Sequence, residues 1–236
     1  MKSDIRIIDR RCFLNRAAMQ MAAAAVLYVP SVIGEQSQQT PRQTEGPFYP
    51  NKMPPDTDND LLIINDKTTL ADGTITHLTG RVVNLNGEPV RNAVVEIWQC
   101  DNNGRYLHTD DQNPVAMDIN FQGFGRFLTG LTGEYYFRTI KPVPYPGRTP
   151  HIHFIVRHGD KRMLTTQLYI KGFPQNARDS IYRTLQAPEL AWADFVPLKG
   201  STRSELTAYF QIVLGETPED PRMDRLQDMD RPGRRG

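Results

Sequence analysis

Residues 80–99 of the chain read GRVVNLNGEPVRNAVVEIWQ, and this stretch decides the fold. Two runs of apolar and β-branched residues lie on either side of Asn86-Gly87, a dipeptide that favours a tight hairpin turn. The pattern predicts one strand over Leu78–Asn84 and a second over Asn92–Gln99. This part of the chain is therefore expected to form antiparallel β structure.

Similar runs follow this hairpin and predict strands over Gly133–Thr139, His151–Arg157 and Met163–Ile170. Asp101–Gly125 is a long polar loop, and loops of that length in compact domains are usually functional or disordered. Asn176–Gln186 is a candidate for a helix. Short strands separated by turn signals predict an all-β fold, an antiparallel β-sandwich with long functional loops and little helix. The opening hairpin also resembles that of prealbumin-like sandwiches, a likeness of fold that assigns no chemistry.

Composition excludes several classes of function. The 236 residues include 28 basic and 27 acidic ones, a balance that gives no sign of a nucleic-acid partner. No apolar run reaches the roughly 20 residues that a membrane-spanning helix needs. Of the two cysteines, Cys12 lies in a segment that is expected to be removed, which leaves Cys100 alone. A single thiol forms no internal disulfide and no cysteine-based metal site, so any metal must use oxygen and nitrogen ligands.

The chain is predicted to divide into four segments. They are a signal peptide over 1–34, an N-terminal linker and packing segment over 35–77, the β-sandwich over 78–214, and a charged flexible tail over 215–236. In the first segment, Arg10-Arg11 is followed by Phe13-Leu14 and then by a short apolar run over Ala17–Val29. This order resembles a twin-arginine export signal, which implies a periplasmic protein that is exported folded, often with a cofactor. The alternative is a buried N-terminal helix.

The sequence His151-Ile152-His153 is the sharpest local feature of the chain. Because residues i and i+2 of a strand point to the same face, the two imidazoles project together while Ile152 faces the opposite side. Tyr145 precedes this pair between two prolines, and Tyr106 ends the sequence Asn103-Gly104-Arg105-Tyr106 in the long polar loop. A phenol with a pKa of about 10 ionises near neutrality only beside a strong cation. Ferric iron is such a cation, and tyrosinate is one of its known ligands.

Several motifs together resemble those of the intradiol ring-cleaving dioxygenases of the catechol and protocatechuate type. The quoted pieces are TEGPFYP at 44–50, DINFQGFGR at 118–126, GEYYFRTIKPVPYP at 133–146, RTPHIHF at 148–154 and TTQLY at 165–169. The resemblance extends from about Thr44 to about Tyr169. It implies an enzyme that opens a catechol-type ring between its two hydroxylated carbons with O2, giving a muconate-type diacid.

The resemblance also implies the roles of particular residues. One non-haem Fe(III) per chain is expected to be bound by Tyr106, Tyr145, His151 and His153. Tyr145 is further expected to accept a substrate proton. Arg148 occupies the position of the active-site arginine and would stabilise negative charge on the ring. Gln167 occupies the position of a glutamine that would orient an oxygenated intermediate or a water. One departure is the short connection between Tyr145 and His151, which suggests a more open pocket.

Two other functions compete with this interpretation. The first is an exported, non-catalytic β-sandwich binding module in which the histidine pair is inert. The second is a copper or zinc hydrolase-like site on His151 and His153, which lacks an obvious third ligand. The expected partners are a small aromatic diol and O2, with no nucleic acid and no stable membrane span after signal removal; a homo-oligomer is left open. His77, His108 and His158 are expected at the surface or in loops, and Arg126 and Arg138 in scaffold ion pairs.

Overall fold

The computed structural model describes residues 37–216 and is built almost entirely of β-strands. In chain order the strands are β1 Ile75–Asn84, β2 Ala93–Trp98, β3 Phe124–Leu128, β4 Glu134–Ile140, β5 His151–His158, β6 Lys161–Ile170, β7 Trp192–Ala193, β8 Val196–Pro197, β9 Leu206–Tyr209 and β10 Ile212–Leu214. The predicted all-β fold with little helix is therefore confirmed. The signal predicted over 1–34 lies outside the described residues, as does the tail predicted over 215–236 beyond its first two positions.

The strands form two five-stranded sheets. In the first sheet, β1 pairs with β4 on one edge and with β9 and β10 on the other, and β8 extends the sheet beyond β9. The second sheet has the order β3-β2-β5-β6-β7. The long neighbouring strands are antiparallel, as predicted, whereas the short strands β7, β9 and β10 pair in parallel with β6 or β1. Within residues 37–216, no helix is both long enough and apolar enough to cross a bilayer.

The central strands of the second sheet are buried on both faces. Val95 and Ile97 of β2 and Ile152 of β5 belong to the main hydrophobic core between the sheets. Trp98 and Ile155 belong to a second apolar cluster on the opposite face, where loops cover the sheet. The alternation predicted for β5 is thus observed, and β2 shows the same pattern. This loop-covered face is the one to which His151 and His153 project, since they have the parity of Ile155.

The N-terminal part of the described chain crosses the loop-covered face and packs on it. The backbone N–H of Gln43 donates to the carbonyl of Thr165 in β6 at 2.9 Å. Farther along, Phe48 stacks on Tyr106 with ring centroids 5.0 Å apart. Gly46 has a φ of +73°, and a side chain there would begin 3.4 Å from the ring of His153. The segment TEGPFYP therefore closes the site from the N-terminal side.

Two expectations are corrected by the structure. The helix expected over Asn176–Gln186 is wrong, because short 3-10 helices over Pro174–Arg178 and Tyr182–Thr184 occupy this region. Between them, Asp179 is extended and its carboxylate accepts backbone N–H groups, which competes with helical hydrogen bonding. His77 is not at the surface: it is buried in β1, with its Nδ1 2.7 Å from the hydroxyl of Tyr136.

The ion pairs expected of the two scaffold arginines are present. Arg138 donates to Asp60 at 3.0 Å, and Arg126 donates to Glu96 at 2.9 Å. Glu96 is a buried carboxylate of β2 that also accepts hydrogen bonds from Arg157 at 3.2 Å and from the hydroxyl of Tyr49 at 3.1 Å. It therefore ties β2, β3, β5 and the N-terminal segment together.

Replacing Glu96 with glutamine is expected to lower the free energy of unfolding by about 2 kcal/mol. Removing one partner of a fully buried ion pair costs about 3–5 kcal/mol, and the partial exposure of the arginines reduces this cost. Equilibrium denaturation with urea measures the change. The control is Glu45→Gln, which removes the half-exposed ion pair with Arg162 and is expected to cost less than about 1 kcal/mol. Equal losses for the two variants would contradict the structural role of Glu96.

Candidate functional site

The two histidines at the start of β5 lie side by side on the loop-covered face. His151 and His153 are both buried, and their Nε2 atoms are 3.0 Å apart. The Nδ1 of His151 donates to the carbonyl of Thr149 at 2.7 Å, so its Nε2 carries the free lone pair. The ring of His153 stacks on Trp98 with centroids 4.7 Å apart and planes within 9°. Both imidazoles are therefore held in fixed orientations.

The two tyrosines reach the same place from separate segments. The hydroxyl of Tyr106 is 3.4 Å from the Nε2 of His151. The ring of Tyr145 lies perpendicular to that of Tyr106, with centroids 5.2 Å apart, and 5.5 Å from the ring of His151. The short connection after Tyr145 contains a tight turn, in which Arg148 N–H donates to the Tyr145 carbonyl at 2.9 Å. This turn brings the chain back toward the phenol within a few residues.

Asp111 orders the loop that places Tyr106. Its carboxylate accepts the backbone N–H of Tyr106 at 2.6 Å and that of Asn113 at 2.8 Å. His108 lies nearby but its Nδ1 accepts the N–H of Asp110 at 3.1 Å, so it is held away from the histidine pair. Neither Asp111 nor the stacking role of Trp98 was predicted from the sequence. Carboxylates in polar loops are common turn residues, and a tryptophan on a strand is ordinarily core.

Burial sets the protonation of the four side chains. It lowers the pKa of His151 to about 3 and that of His153 well below its usual range, with the nearby charge of Arg148 acting in the same direction. Both imidazoles are therefore neutral near neutral pH, which is the form that binds metals. Burial raises the pKa of Tyr106 and Tyr145, although Arg148 partly offsets this. Ionising both phenols consequently requires a multivalent cation beside them.

The spacing of the two imidazole nitrogens fits a metal ion whose ligands meet it at right angles, as in octahedral coordination. Two nitrogen ligands at about 2.1 Å from one ion lie about 3.0 Å apart when they meet it at a right angle. The two Nε2 atoms have this separation. The Nδ1 of His153 is buried and has no hydrogen-bond partner among residues 37–216. No hydrogen bond at Nδ1 therefore decides which nitrogen of that ring carries the proton. Across the same described range, no three His, Cys, Asp or Glu side chains form a metal-binding group.

Arg148 lies beside two of the four side chains, and four residues in all are within hydrogen-bond distance of its guanidinium. Its Nη1 is 3.3 Å from the hydroxyl of Tyr145 and 3.4 Å from the Nε2 of His151. Its Nη2 donates to the Oε1 of Gln167 at 2.6 Å, and its Nε donates to Asp179 at 2.8 Å. Both residues expected beside the site are thus brought to it. Asp179 was not predicted, because only the folded chain places it next to Arg148.

Gln167 is engaged on both sides of its amide. Its Oε1 accepts from Arg148 and from the hydroxyl of Tyr169 at 2.9 Å. Its Nε2 donates to the carbonyl of Thr44 at 3.0 Å. A carbonyl oxygen has two lone pairs, and both are occupied here. In this arrangement Gln167 fixes the guanidinium of Arg148 and joins it to the N-terminal segment.

Comparisons with known proteins identify relatives that share this architecture. The chain is 45% identical over 115 residues to the protocatechuate 3,4-dioxygenase beta chain of Burkholderia cepacia, covering 45% of this chain and 48% of that one. It is 33% identical over 163 residues to catechol 1,2-dioxygenase 1 of Acinetobacter lwoffii, covering 61% and 50%. The chain thus spans about half the length of the curated relatives it matches.

Solved structures agree with the sequence comparison. The dioxygenase domain of a dioxygenase and carbohydrate-binding protein fusion from Streptomyces sp. SirexAA-E is 28% identical and superposes with a TM-score of 0.57. The match covers 75% of this chain and 99% of that one. The catechol 1,2-dioxygenase of Acinetobacter sp. ADP1 superposes with a TM-score of 0.56 at 22% identity, over 89% of this chain and 73% of that one, which is a likeness of fold.

The family comparison covers the whole region that carries the site. The family model described as Dioxygenase matches residues 44–215, from the TEGPFYP segment to just past β10, a strand of the first sheet. All six residues expected at the site lie within that range. The chain therefore belongs to the intradiol ring-cleavage dioxygenase family.

Proposed function

We propose that this protein uses O2 to cleave a catechol-type aromatic ring between its two hydroxylated carbons, giving a muconate-type diacid. One non-haem Fe(III) per chain would be held by Tyr106, Tyr145, His151 and His153. The observation that carries the proposal is the convergence of two buried imidazole nitrogens, 3.0 Å apart, with a buried phenol 3.4 Å from one of them. Relatives named for protocatechuate, catechol and hydroxyquinol support the class of substrate.

Iron, when bound, supplies the Lewis acid that makes the bound diol reactive toward O2. The two imidazoles bind in their neutral form, and the hydrogen bond from His151 to Thr149 keeps one nitrogen free for the metal. The two phenolates would neutralise two of the three charges of Fe(III). This balance of charge favours the ferric over the ferrous state.

Tyr145 is better placed than Tyr106 to accept a proton from the substrate. Tyr106 is almost fully buried and is covered by Phe48, whereas Tyr145 is partly exposed. Arg148 faces the Tyr145 hydroxyl at 3.3 Å and stabilises its ionised form. We therefore assign the proton transfer from the diol to the Tyr145 oxygen, while Tyr106 stays in place.

Arg148 supplies a fixed positive charge at the edge of the site. Its guanidinium stays protonated over the working pH range. Because Asp179 and Gln167 hold it from two sides, the charge is already oriented before substrate binds. Negative charge that develops on the ring during attack by O2 would be stabilised there without reorganisation.

The alternatives are less well supported. An inert histidine pair in a binding module does not account for two tyrosines from other segments beside His151. The hydroxyl of Tyr106 is 3.4 Å from its Nε2, and the ring of Tyr145 is 5.5 Å from its ring. The periplasmic location rests on the twin-arginine resemblance at Arg10-Arg11 and stays a proposal from sequence.

Replacing Tyr106 with phenylalanine is expected to remove or strongly shift the visible absorption of the iron-loaded protein. Tyrosinate bound to ferric iron absorbs in the visible range, so the wild-type protein should be burgundy, with one iron per chain. Absorption spectra and iron analysis measure both properties. The control is Tyr136→Phe, a buried tyrosine that is hydrogen-bonded to His77 away from the site and whose loss should leave the band unchanged.

Oxygen uptake against a panel of catechols, with the product identified by mass, tests the reaction itself. The diol should consume one O2 and gain both oxygen atoms. A colourless protein that binds no ferric iron would support the non-catalytic module instead. An unchanged spectrum in Tyr106→Phe would exclude Tyr106 as a ligand.

A further inference from the structure

Asp179 is a buried carboxylate that lies between the two 3-10 helices and behind Arg148. Its side chain is 0% exposed. One oxygen, Oδ2, accepts from the Nε of Arg148 at 2.8 Å and from the backbone N–H of Thr149 at 2.9 Å. The other, Oδ1, accepts the backbone N–H groups of Ile181 at 2.9 Å and Tyr182 at 2.8 Å. Four donors thus occupy the four lone-pair positions of the carboxylate.

Both donors to Oδ2 lead directly to the site. The first fixes the Nε edge of the guanidinium of Arg148, which leaves Nη1 facing the Tyr145 hydroxyl and Nη2 facing Gln167. The second fixes the backbone N–H of Thr149, and the carbonyl of the same residue accepts the Nδ1–H of His151. A single oxygen atom therefore orients both the charge that faces the substrate and the imidazole that presents its Nε2.

We propose that Asp179 is the positioning residue that holds Arg148 and His151 in register with each other, a role that rests on the proposed function. A carboxylate can hold this place and an amide cannot. Asparagine at position 179 has one acceptor oxygen and one donor nitrogen, whereas donors approach both ends of the side chain. Either the pair at Ile181 and Tyr182 or the pair at Arg148 and Thr149 would then face an N–H group.

The chain offers a matched control on its first sheet. Asp60 is also buried, accepts from the guanidinium of Arg138 at 3.0 Å and accepts the backbone N–H of Leu62 at 3.1 Å. This ion pair has the same chemistry as that of Asp179 with Arg148, but it does not contact any of the four proposed ligands. Asp60→Asn therefore measures what the loss of a buried pair costs through stability alone.

The experiment compares iron-loaded wild-type protein with Asp179→Asn and Asp60→Asn. For Asp179→Asn we expect kcat for catechol to fall about 10- to 100-fold, with a smaller change in KM. Iron should also pass to a chelator at least about tenfold faster. Mutation of a residue that hydrogen-bonds a metal ligand commonly lowers metal affinity or activity about 10- to 100-fold. The visible band should also shift. For Asp60→Asn, kcat and the rate of iron loss should stay within about twofold of wild type even if the melting temperature falls.

A second variant keeps the proposal testable if Asp179→Asn does not fold. Asp179→Ser retains a hydroxyl that can accept the N–H groups of Ile181 and Tyr182, but it removes the charge that faces Arg148. It should show the same losses. Wild-type kcat and iron retention in either folded variant would overturn the positioning role while leaving the proposed reaction intact. Wild-type protein that neither holds iron nor cleaves catechol would overturn the proposed function and the positioning role with it.

Discussion

Replacement of His153 with alanine is expected to abolish ring cleavage, with a loss in activity of roughly 1,000-fold or more. Loss of a residue behind a metal ligand already costs 10- to 100-fold in affinity or activity, and His153 is itself a proposed ligand. Its Nε2 is 3.0 Å from that of His151, the separation expected of two nitrogen ligands that meet one ion at a right angle. The measurements are iron per chain after purification and kcat with catechol.

The loss should be local to the site. His153 packs on Trp98, and truncation to alanine leaves a gap there that costs stability as well as iron. His153→Gln keeps most of the volume and separates the two effects, since glutamine fills the space but is a poor iron ligand. His158→Ala, at the other end of β5, is the matched control and should keep both iron and activity. Full iron content in both His153 variants would exclude it as a ligand.

The histidine pair could be placed from the sequence because a strand repeats every two residues. Ile152 faces the main core, so His151 and His153 must face the other side, and this requires no knowledge of the rest of the fold. The two tyrosines were different, since their loops have no periodicity. Tyr106 and Tyr145 became candidates through their neighbours in sequence and through resemblance to a family, rather than through any pattern of their own.

The residues that support the site could not be predicted in this way. Asp179 lies 31 positions after Arg148 along the chain. From sequence alone, a carboxylate beside a short helical turn is interpreted as a residue that caps that turn. That same carboxylate also explains the wrong helix, because it accepts the N–H groups of Ile181 and Tyr182. Strands β7 to β10 were missed because they have two to four residues each, too few to show alternation.

The burial of His77 could not be predicted from the sequence either. His77 was expected to be exposed because it has no nearby partner in sequence, yet β1 places it between Tyr136 and Glu205. Glu205 is 128 residues away along the chain. A buried polar group finds its partners through sheet pairing, and that pairing is set by hydrophobic burial over many residues. The partners of a buried histidine therefore become visible only in the folded chain.

Replacement of Arg148 with lysine is expected to lower kcat by about 100- to 1,000-fold, the range found when one preorganised donor is removed from a site of developing negative charge. The charge is conserved in this variant, but its geometry is not. The guanidinium meets Asp179, Gln167 and Tyr145 with three different nitrogens. An ammonium group is a single point on a flexible stem and cannot satisfy all three partners from one position.

The readouts separate this role from binding and from folding. Iron content and the visible band should persist in Arg148→Lys, because Arg148 is not one of the four proposed ligands, so the loss should fall on kcat rather than on iron. Arg138→Lys is the matched control: it alters a partly buried arginine paired with Asp60 on the first sheet and should change stability but not kcat. If Arg148→Lys instead retains wild-type kcat, a positive charge of any shape is sufficient, and the oriented guanidinium held by Asp179 and Gln167 has no part in the reaction.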